Sequence, residues 1–455
     1  MSWRAAAILV LISWGALAFG AVYPWAFVPL YVGCAAVGLA AILQRRRTMA
    51  RDLPLVIALL LLGSAIALQL VPLPAGMIRW LNPETDVFLQ RYVLGYPAVM
   101  QRHALSIEPS GTLRALLGFG AFALLLLGSA RALTDTDTLQ IARGVSVLGA
   151  AMAIVGVVQK AMWNGKIYGF WTPTEAGDSF GPFVNRNHFA GWMLMALPLV
   201  IGYFYGRVAR GMRDVKPGWR NRIVWFSSSE ASKTILTGFA ALLMALALVL
   251  TMSRSGAMGL LVALVVSAWF VGRRQSTISR RAVLAAFLVF VAVFVVWWVG
   301  IDRLENRFNE TGPVVGLNGR LGIWADTWRI VGHYLPVGTG LNTFGTATLF
   351  YQTSDLARHY VQAHNDFLQL LSDGGLLICI PAVILIVVFV GRVARRFRES
   401  SSDADYWIRI GAVTGILAIA FQETVDFSLQ MPGNAALFVI LLVLASRRSR
   451  VNVGD

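Results

Sequence analysis

Four short stretches set arginine or histidine among hydrogen-bonding residues at the edge of an apolar run: Asn185-Arg186-Asn187-His188, Ser253-Arg254-Ser255-Gly256, Asn318-Gly319-Arg320-Leu321 and His364-Asn365-Asp366. Arginine's planar fork matches a phosphate bidentately. A helix start adds backbone N–H groups and positive potential. Histidine exchanges a proton near neutral pH, as a general base must. Together, arginines neutralising a diphosphate and a histidine activating a hydroxyl suit transfer of a group from a lipid diphosphate, with no metal required. Convergence of the stretches in space is the condition that this chemistry sets. Each stretch also has a plainer reading. Arg186 and His188 equally cap a helix among lipid headgroups, and Arg254, in a tight turn between two apolar spans, equally snorkels. Arg320 equally forms a surface ion pair, for instance with Asp326. His103, His333 and His359 read as structural histidines.

The elements that must position these residues follow from composition. Hydrophobic residues make up 57% and charged residues 14%, with a mean hydropathy of +0.65. An average soluble domain is about a quarter charged. The balance excludes a water-soluble enzyme, intrinsic disorder and a disulfide-stapled scaffold. Apolar runs at 5–20, 26–43, 53–71, 113–130, 141–162, 189–205, 234–252, 256–271, 282–300, 376–391, 407–422 and 434–446 predict an all-α polytopic membrane protein of about twelve spans. The expected organisation is a single integral membrane domain over 1–455.

The net charge of +16 marks a cytoplasmic face rather than a nucleic-acid partner. With both termini inside, the basic residues gather on one side: Arg45 to Arg47, 206–233, Arg273 to Arg281, Arg392 to Arg398, and Arg447 to Arg450. The first run also has signal-peptide character, with Arg4 and Ala16-Leu17-Ala18 as a cleavage-like site. A retained span is favoured because the second run needs a partner to keep its arginine-rich loop inside. Three long segments then face outward, 72–112, 163–188 and 302–375, the last between the ninth and tenth helices.

In the long segment, Leu321, Trp324, Trp328 and Val331 recur at helical spacing and predict a helix along the membrane surface. Pro336, Gly338 and Gly340 break it, and a second helix is expected over 355–372, ended by Gly374-Gly375. Glu399 to Asp405 reads as a cytoplasmic loop. No Walker A loop, Rossmann fingerprint or His/Cys metal cluster occurs. Asp135-Thr136-Asp137 and Asp403-Ala404-Asp405 read as helix caps rather than metal ligands. Cys34 and Cys379 read as small core residues.

These motifs resemble those of the O-antigen ligase and polysaccharide polymerase family of bacterial inner-membrane proteins, most strongly over 180–380. The carriers are Phe183-Val184-Asn185-Arg186-Asn187-His188-Phe189-Ala190-Gly191, Ser253-Arg254-Ser255-Gly256, Arg320 followed by Trp324, Pro336, Gly338 and Gly340, and His364-Asn365 nine residues before Gly375. Ile378 departs from the pattern, where glycine, threonine or tyrosine is usual. The resemblance implies a C-type glycosyltransferase architecture. It implies an undecaprenyl-diphosphate-linked oligosaccharide donor, an inverting reaction without metal or cofactor, and an active site facing the periplasm.

By position, Arg254 and Arg320 match diphosphate-gripping arginines, and His364 matches the histidine that activates or orients the acceptor hydroxyl. Arg186, Asn185, His188 and Asn365 are weaker substrate contacts by the same resemblance. The acceptor is lipid A core, a growing glycan chain or a secreted protein. The bilayer and other polysaccharide-assembly proteins are the implied partners. Two other readings stand beside it. One is a transporter or channel, against which the clustering of charge at the membrane faces and the lack of an internal repeat count. The other is a non-catalytic part of a polysaccharide export complex.

Overall fold

A computed structural model describes residues 1–44, 52–174, 178–212, 215, 220, 225, 227–274, 317–399 and 403–448. The expected span 282–300 lies outside the described residues. So do Arg45 to Arg47, the stretch 275–281, the segment 302–316, Arg450 and parts of 206–233 and 399–405.

Fifteen α-helices appear among the described residues. They are α1 (Trp3–Leu17), α2 (Pro24–Gln44), α3 (Leu53–Leu68), α4 (Ala75–Leu81), α5 (Pro83–Tyr92), α6 (Pro109–Ala132), α7 (Asp135–Ala161), α8 (Arg186–Gly211), α9 (Ser229–Leu250), α10 (Arg254–Arg274), α11 (Leu317–Tyr334), α12 (Phe344–Tyr351), α13 (Asp366–Arg398), α14 (Asp403–Gln422) and α15 (Pro432–Ser446). A two-stranded antiparallel ribbon joins β1 (Leu73–Pro74) to β2 (Arg102–His103), pairing Leu73 with His103. Seven of the described helices, α2, α6, α7, α8, α9, α13 and α14, are long and apolar enough to cross a membrane. The apolar helices α1, α3 and α15 and the apolar part of α10 are shorter. The protein is an all-α multi-pass membrane protein, and every expected run inside the described residues is helical.

α8 is the most enclosed of the seven, and α14 lies along it. The close fit comes from glycines set against backbone. A Cβ on Gly202 would meet the Trp407 carbonyl at 2.3 Å, and one on Gly411 the Pro198 carbonyl at 2.4 Å. In lipid, helices associate through such packing of small residues, because burial of apolar surface gives no drive there. α1 also belongs to this core. Its Ala5, Ile8 and Ile12 are buried, and Ser2 caps it while donating to Asp137 at 2.5 Å.

Buried arginines and aspartates close one end of the bundle. Arg447 reaches Asp135 at 2.6 Å and also bonds Asp405, which takes Arg409 at 3.0 Å. Asp52 accepts from Arg392 at 2.6 Å and Arg131 at 3.1 Å. Asp137 completes a capping box with Thr134. Asp135, Asp137 and Asp405 thus act as cap or ion-pair partners, and the Asp403 side chain lies outside the described residues. Cys34 is buried and Cys379 half-buried, both as free thiols.

The opposite end carries a second apolar core. Ile78, Phe88 and Leu89 from α4 and α5 pack with Ile323, Ile330 and Tyr334 of α11 and Phe344 of α12. The segments 72–112 and 317–365 therefore fold against each other. α11 confirms the expected amphipathic helix but divides its stripe. Val331 is buried, Trp324 donates to the Ala363 carbonyl at 2.9 Å, and Leu321 and Trp328 stay exposed.

The helix expected over 355–372 is corrected. α12 comes earlier, the chain from 352 to 365 is irregular, and α13 starts only at Asp366. Two left-handed residues explain this, Asp355 at φ 49° and His364 at φ 53°. The Asp326 carboxylate also draws the N–H groups of Thr353 and Ser354 away from a helical ladder, at 3.0 Å each. α13 then runs through the expected stop at Gly374-Gly375 with a break in its dihedrals at Gly375 (φ 55°, ψ −161°). The N–H groups freed there go to α11's exit: Leu376 donates to Leu335 at 2.9 Å and Leu377 to Pro336 at 3.1 Å. Buried Asp373 accepts from the N–H of Asn342 at 3.1 Å, and Gln69 clasps Val337, Leu341 and Asp373. The Pro-Gly-x-Gly stretch thereby sets α11 against the head of α13. Ile378, the departure from the family pattern, is buried beside Ala65 and Ile66 of α3.

Gly375→Ala should lower the stability of the detergent-purified protein by about 1–3 kcal/mol, through strain at a left-handed position and a clash with the Gly338 N–H and Leu335 carbonyl. Gly391→Ala, with no atom within 4 Å of its added Cβ, should be neutral or slightly stabilising. Thermal unfolding of both variants beside the parent checks this.

Candidate active site

Where α8, α10, α13 and α15 begin and α14 ends, their termini share one end of the bundle, opposite the arginine-aspartate end. α8 starts at Arg186 because the Asn185 side chain accepts from the Asn187 N–H at 2.8 Å. α10 starts at Arg254 because Ser253 caps it, accepting from the Gly256 N–H at 3.1 Å. α13 starts at Asp366 because Asn365 accepts from the Leu368 N–H at 3.0 Å. Asn185, Ser253 and Asn365 are thus N-caps. The residues that follow them sit where helix dipoles favour negative charge.

The turn after α14, residues 423–431, links these starts. Asp426 has no exposed surface. Its Oδ2 accepts from Ser255 at 3.0 Å and faces Arg320 NH2 at 3.8 Å, with the Asn187 side chain beside it. The Phe427 ring lies edge-to-face against two imidazoles, 4.8 Å from His188 and 4.8 Å from His364. Gln422 donates to the Asn187 carbonyl at 3.1 Å and to Ser255 at 3.3 Å. Asn434 of α15 donates to the His188 carbonyl at 3.0 Å. One short turn therefore joins α8, α10, α11 and the His364 loop.

The structure brings Arg320, His364 and His188 together, and places Arg254 at the start of α10, next in sequence to Ser255, which bonds Asp426. Arg320 faces Asp426, not the suggested Asp326. Asp326 instead takes Arg329 at 2.7 Å and holds the 353–354 backbone. Arg186 stands slightly apart, bound to Asp178 at 2.5 Å. The three histidines read as structural are so placed: His103 bonds the Ala104 carbonyl, His359 the Gly345 carbonyl, and His333 lies 3.6 Å from Glu84. Sequence reasoning missed Glu423, Asp426 and Phe427. Their signal was two carboxylates just past the apolar run 407–422, on the side assigned to His364.

Electrostatics separates the groups by role. Burial, then the Arg320 charge, pulls the His364 imidazole down to about 4, so it is neutral near pH 7 and able to accept a proton. His364 Nδ1 and His188 Nε2 are buried without a hydrogen-bond partner. Burial raises Asp426 despite the opposing Arg320 charge. Burial, then the neighbouring Asp366 carboxyl, raises Glu423 well above the usual carboxylate range. Chemically, the site offers the Arg320 guanidinium for an anion, with Arg254 at the adjoining start of α10, a neutral imidazole with an unpartnered nitrogen, and a carboxylate that orients Arg320. Among the described residues, no three His, Cys, Asp or Glu side chains form a metal-ligand set.

Residues 239–381 match a family model described as O-antigen ligase. The matched stretch contains Arg254, Arg320, His364 and Asn365; the α8 residues and the 423–431 turn lie outside it. No curated protein matches the chain.

The depressed His364 value carries a stability consequence. The neutral imidazole is favoured in the fold, so its contribution is fully present above the unfolded value of 6.5 and is lost as pH falls toward about 4. The full loss is on the order of 3 kcal/mol. Stability to thermal unfolding should weaken over that window in the parent protein and weaken less steeply in His364→Gln. Equal slopes for the two would show that His364 is not the group responsible.

Proposed function

We propose a reaction from one premise: residues 239–381 mark the chain as a membrane protein of the O-antigen ligase family, in polysaccharide biosynthesis. The protein is a metal-independent inverting glycosyltransferase of the ligase or polymerase type, with a C-type architecture. Its donor is an undecaprenyl-diphosphate-linked oligosaccharide, and its acceptor is a hydroxyl of lipid A core or of a growing glycan. It sits in the bacterial inner membrane with both termini cytoplasmic and its site facing the periplasm. The observation that supports this reading most is the convergence of Arg320, the Ser253-Arg254-Ser255 turn and His364 around one buried turn.

The chemistry uses only side chains already described. The acceptor oxygen attacks the anomeric carbon from the face opposite the diphosphate, and the bond from that carbon to the diphosphate oxygen breaks. The acceptor proton passes to neutral His364. Negative charge grows on the departing diphosphate, where Arg254 and Arg320 stabilise it. Asp426 keeps the Arg320 fork aimed at the site before donor arrives and partly offsets its charge. Asn185, Arg186, His188 and Asn365 hold the surrounding helix starts, with Arg186 and His188 as outer substrate contacts. The exposed apolar side chains of α13, among them Ile380, Val383 and Val387, offer a surface for lipid and for the donor's isoprenoid tail.

Purified protein should turn over its host's undecaprenyl-diphosphate oligosaccharide without added metal. Arg254→Ala, Arg320→Ala and His364→Ala should each lower turnover by roughly 100-fold or more while keeping a normal detergent elution profile. Donor alone yielding a ladder of longer lipid-linked glycans identifies a polymerase. Product appearing only with lipid A core identifies a ligase. Unchanged turnover in all three variants would remove these residues from the reaction.

A further inference from the structure

The carboxyl of buried Glu423 neighbours that of half-buried Asp366, and the transfer chemistry uses neither. Glu423 is 1% exposed, and among the described residues neither of its carboxyl oxygens has a hydrogen-bond partner of good geometry; the backbone donor acting on it is the Leu429 N–H. The Asp366 carboxyl is the neighbouring side chain that acts on it electrostatically. Asp366 Oδ1 accepts from Gln430 Nε2 at 2.7 Å, and the Asp366 N–H donates to the Glu423 carbonyl at 2.9 Å. Main chain and side chain thus tie the 423–431 turn to the first residue of α13.

Two neighbouring carboxylates repel, and the buried Glu423 has little water to screen that repulsion, so ionising both is unfavourable. The nearby cation is already engaged, since Arg320 of α11 faces Asp426. Among the described residues, the charged groups that act most on the pair are acidic. Asp426 on the same turn is a further carboxyl, His364 before α13 is neutral, and His188 of α8 lies across Phe427. A proton placed between the two carboxyls removes their repulsion and supplies Glu423 with a donor of good geometry.

We propose that Asp366 and Glu423 share a single proton, and that this shared proton latches the 423–431 turn onto α13. The latch presents Asp426 to Arg320 and Phe427 to both histidines. Asp366 and Glu423 are positioning residues, acting on the reaction through Arg320 and His364. The sign of the linkage follows from the raised Glu423 value. The latch is fully formed below the unfolded value of roughly 4.3 and is lost as pH rises through the raised folded value. Glutamine mimics the protonated acid, so Glu423→Gln keeps the latch and frees it from pH, whereas Glu423→Ala removes it.

The test measures thermal unfolding of the full-length protein in detergent from mildly acidic to alkaline pH, for the parent, Glu423→Gln and Glu423→Ala. This arm needs no glycan, so it stands apart from the proposed function on which the activity arm rests. The parent should lose stability toward alkaline pH. Glu423→Gln should match it at neutral pH and lose less of that value upward, and Glu423→Ala should be destabilised throughout. In the turnover assay, Glu423→Gln should stay within about threefold of the parent and lose its alkaline decline, and Glu423→Ala should fall by roughly tenfold or more. Identical pH dependence of unfolding in the parent and Glu423→Gln overturns the shared proton. So does a Glu423→Gln variant as inactive as Glu423→Ala beside an active parent. If the parent itself transfers no glycan, the unfolding arm alone decides the latch, and the failure belongs to the proposed reaction.

Discussion

A carboxylate with no exposed surface at the end of an apolar bundle must be matched by donors and positive charge, and Asp426 is such a group. Its partners come from different parts of the chain: Ser255 on α10, Arg320 on α11 and Asn187 on α8. Satisfying one buried charge therefore fixes three helix starts relative to one another. Removing any one partner leaves the charge under-compensated, which gives the arrangement a strong preference for a single geometry. The Phe427 ring, next in sequence, extends that order to the two imidazoles.

The rest of the fold keeps this turn in place. α8 and α14 approach backbone to backbone through Gly202 and Gly411, so the residues at their site-bearing ends have little room to slide. At the far end, the Arg409, Arg447 and Asp405 cluster pins the start of α14 to the end of α15. The 423–431 turn is thus held between two helices fixed at both ends. On the other side, Asp373 and Gln69 bind the exit of α11 to the head of α13, which places Arg320 and His364 on elements that share hydrogen bonds.

Hydropathy carried most of the architecture, because each apolar run must satisfy its own backbone inside lipid and so becomes a helix. The motif residues were legible for a similar reason. Asn185, Ser253 and Asn365 are cap-forming types, and the basic residues beside them stand at helix starts that a linear pattern can locate. What stayed hidden was long-range. Nothing local ties Arg320 to Asp426 rather than to Asp326, six residues away, because that choice depends on how α11 packs. The irregular course of 352–365 was missed because its causes are the distant Asp326 carboxylate and left-handed turns at Asp355 and His364, non-glycine residues that rarely adopt them. Glu423 and Asp366 lie far apart in sequence, and their meeting needs α13 and α14 in place.

Binding and chemistry are assigned to different side chains here, and an equilibrium measurement on the leaving group separates them most directly. Undecaprenyl diphosphate without sugar would be titrated into the detergent-purified parent, Arg254→Ala, Arg320→Ala and His364→Ala proteins, with affinity read from each. Loss of either arginine should weaken binding by roughly tenfold or more, as expected for removing a charge-assisted contact, while His364→Ala leaves affinity nearly unchanged. Undiminished binding in both arginine variants, or a loss confined to His364→Ala, would contradict a site in which arginines hold the diphosphate and histidine serves the acceptor.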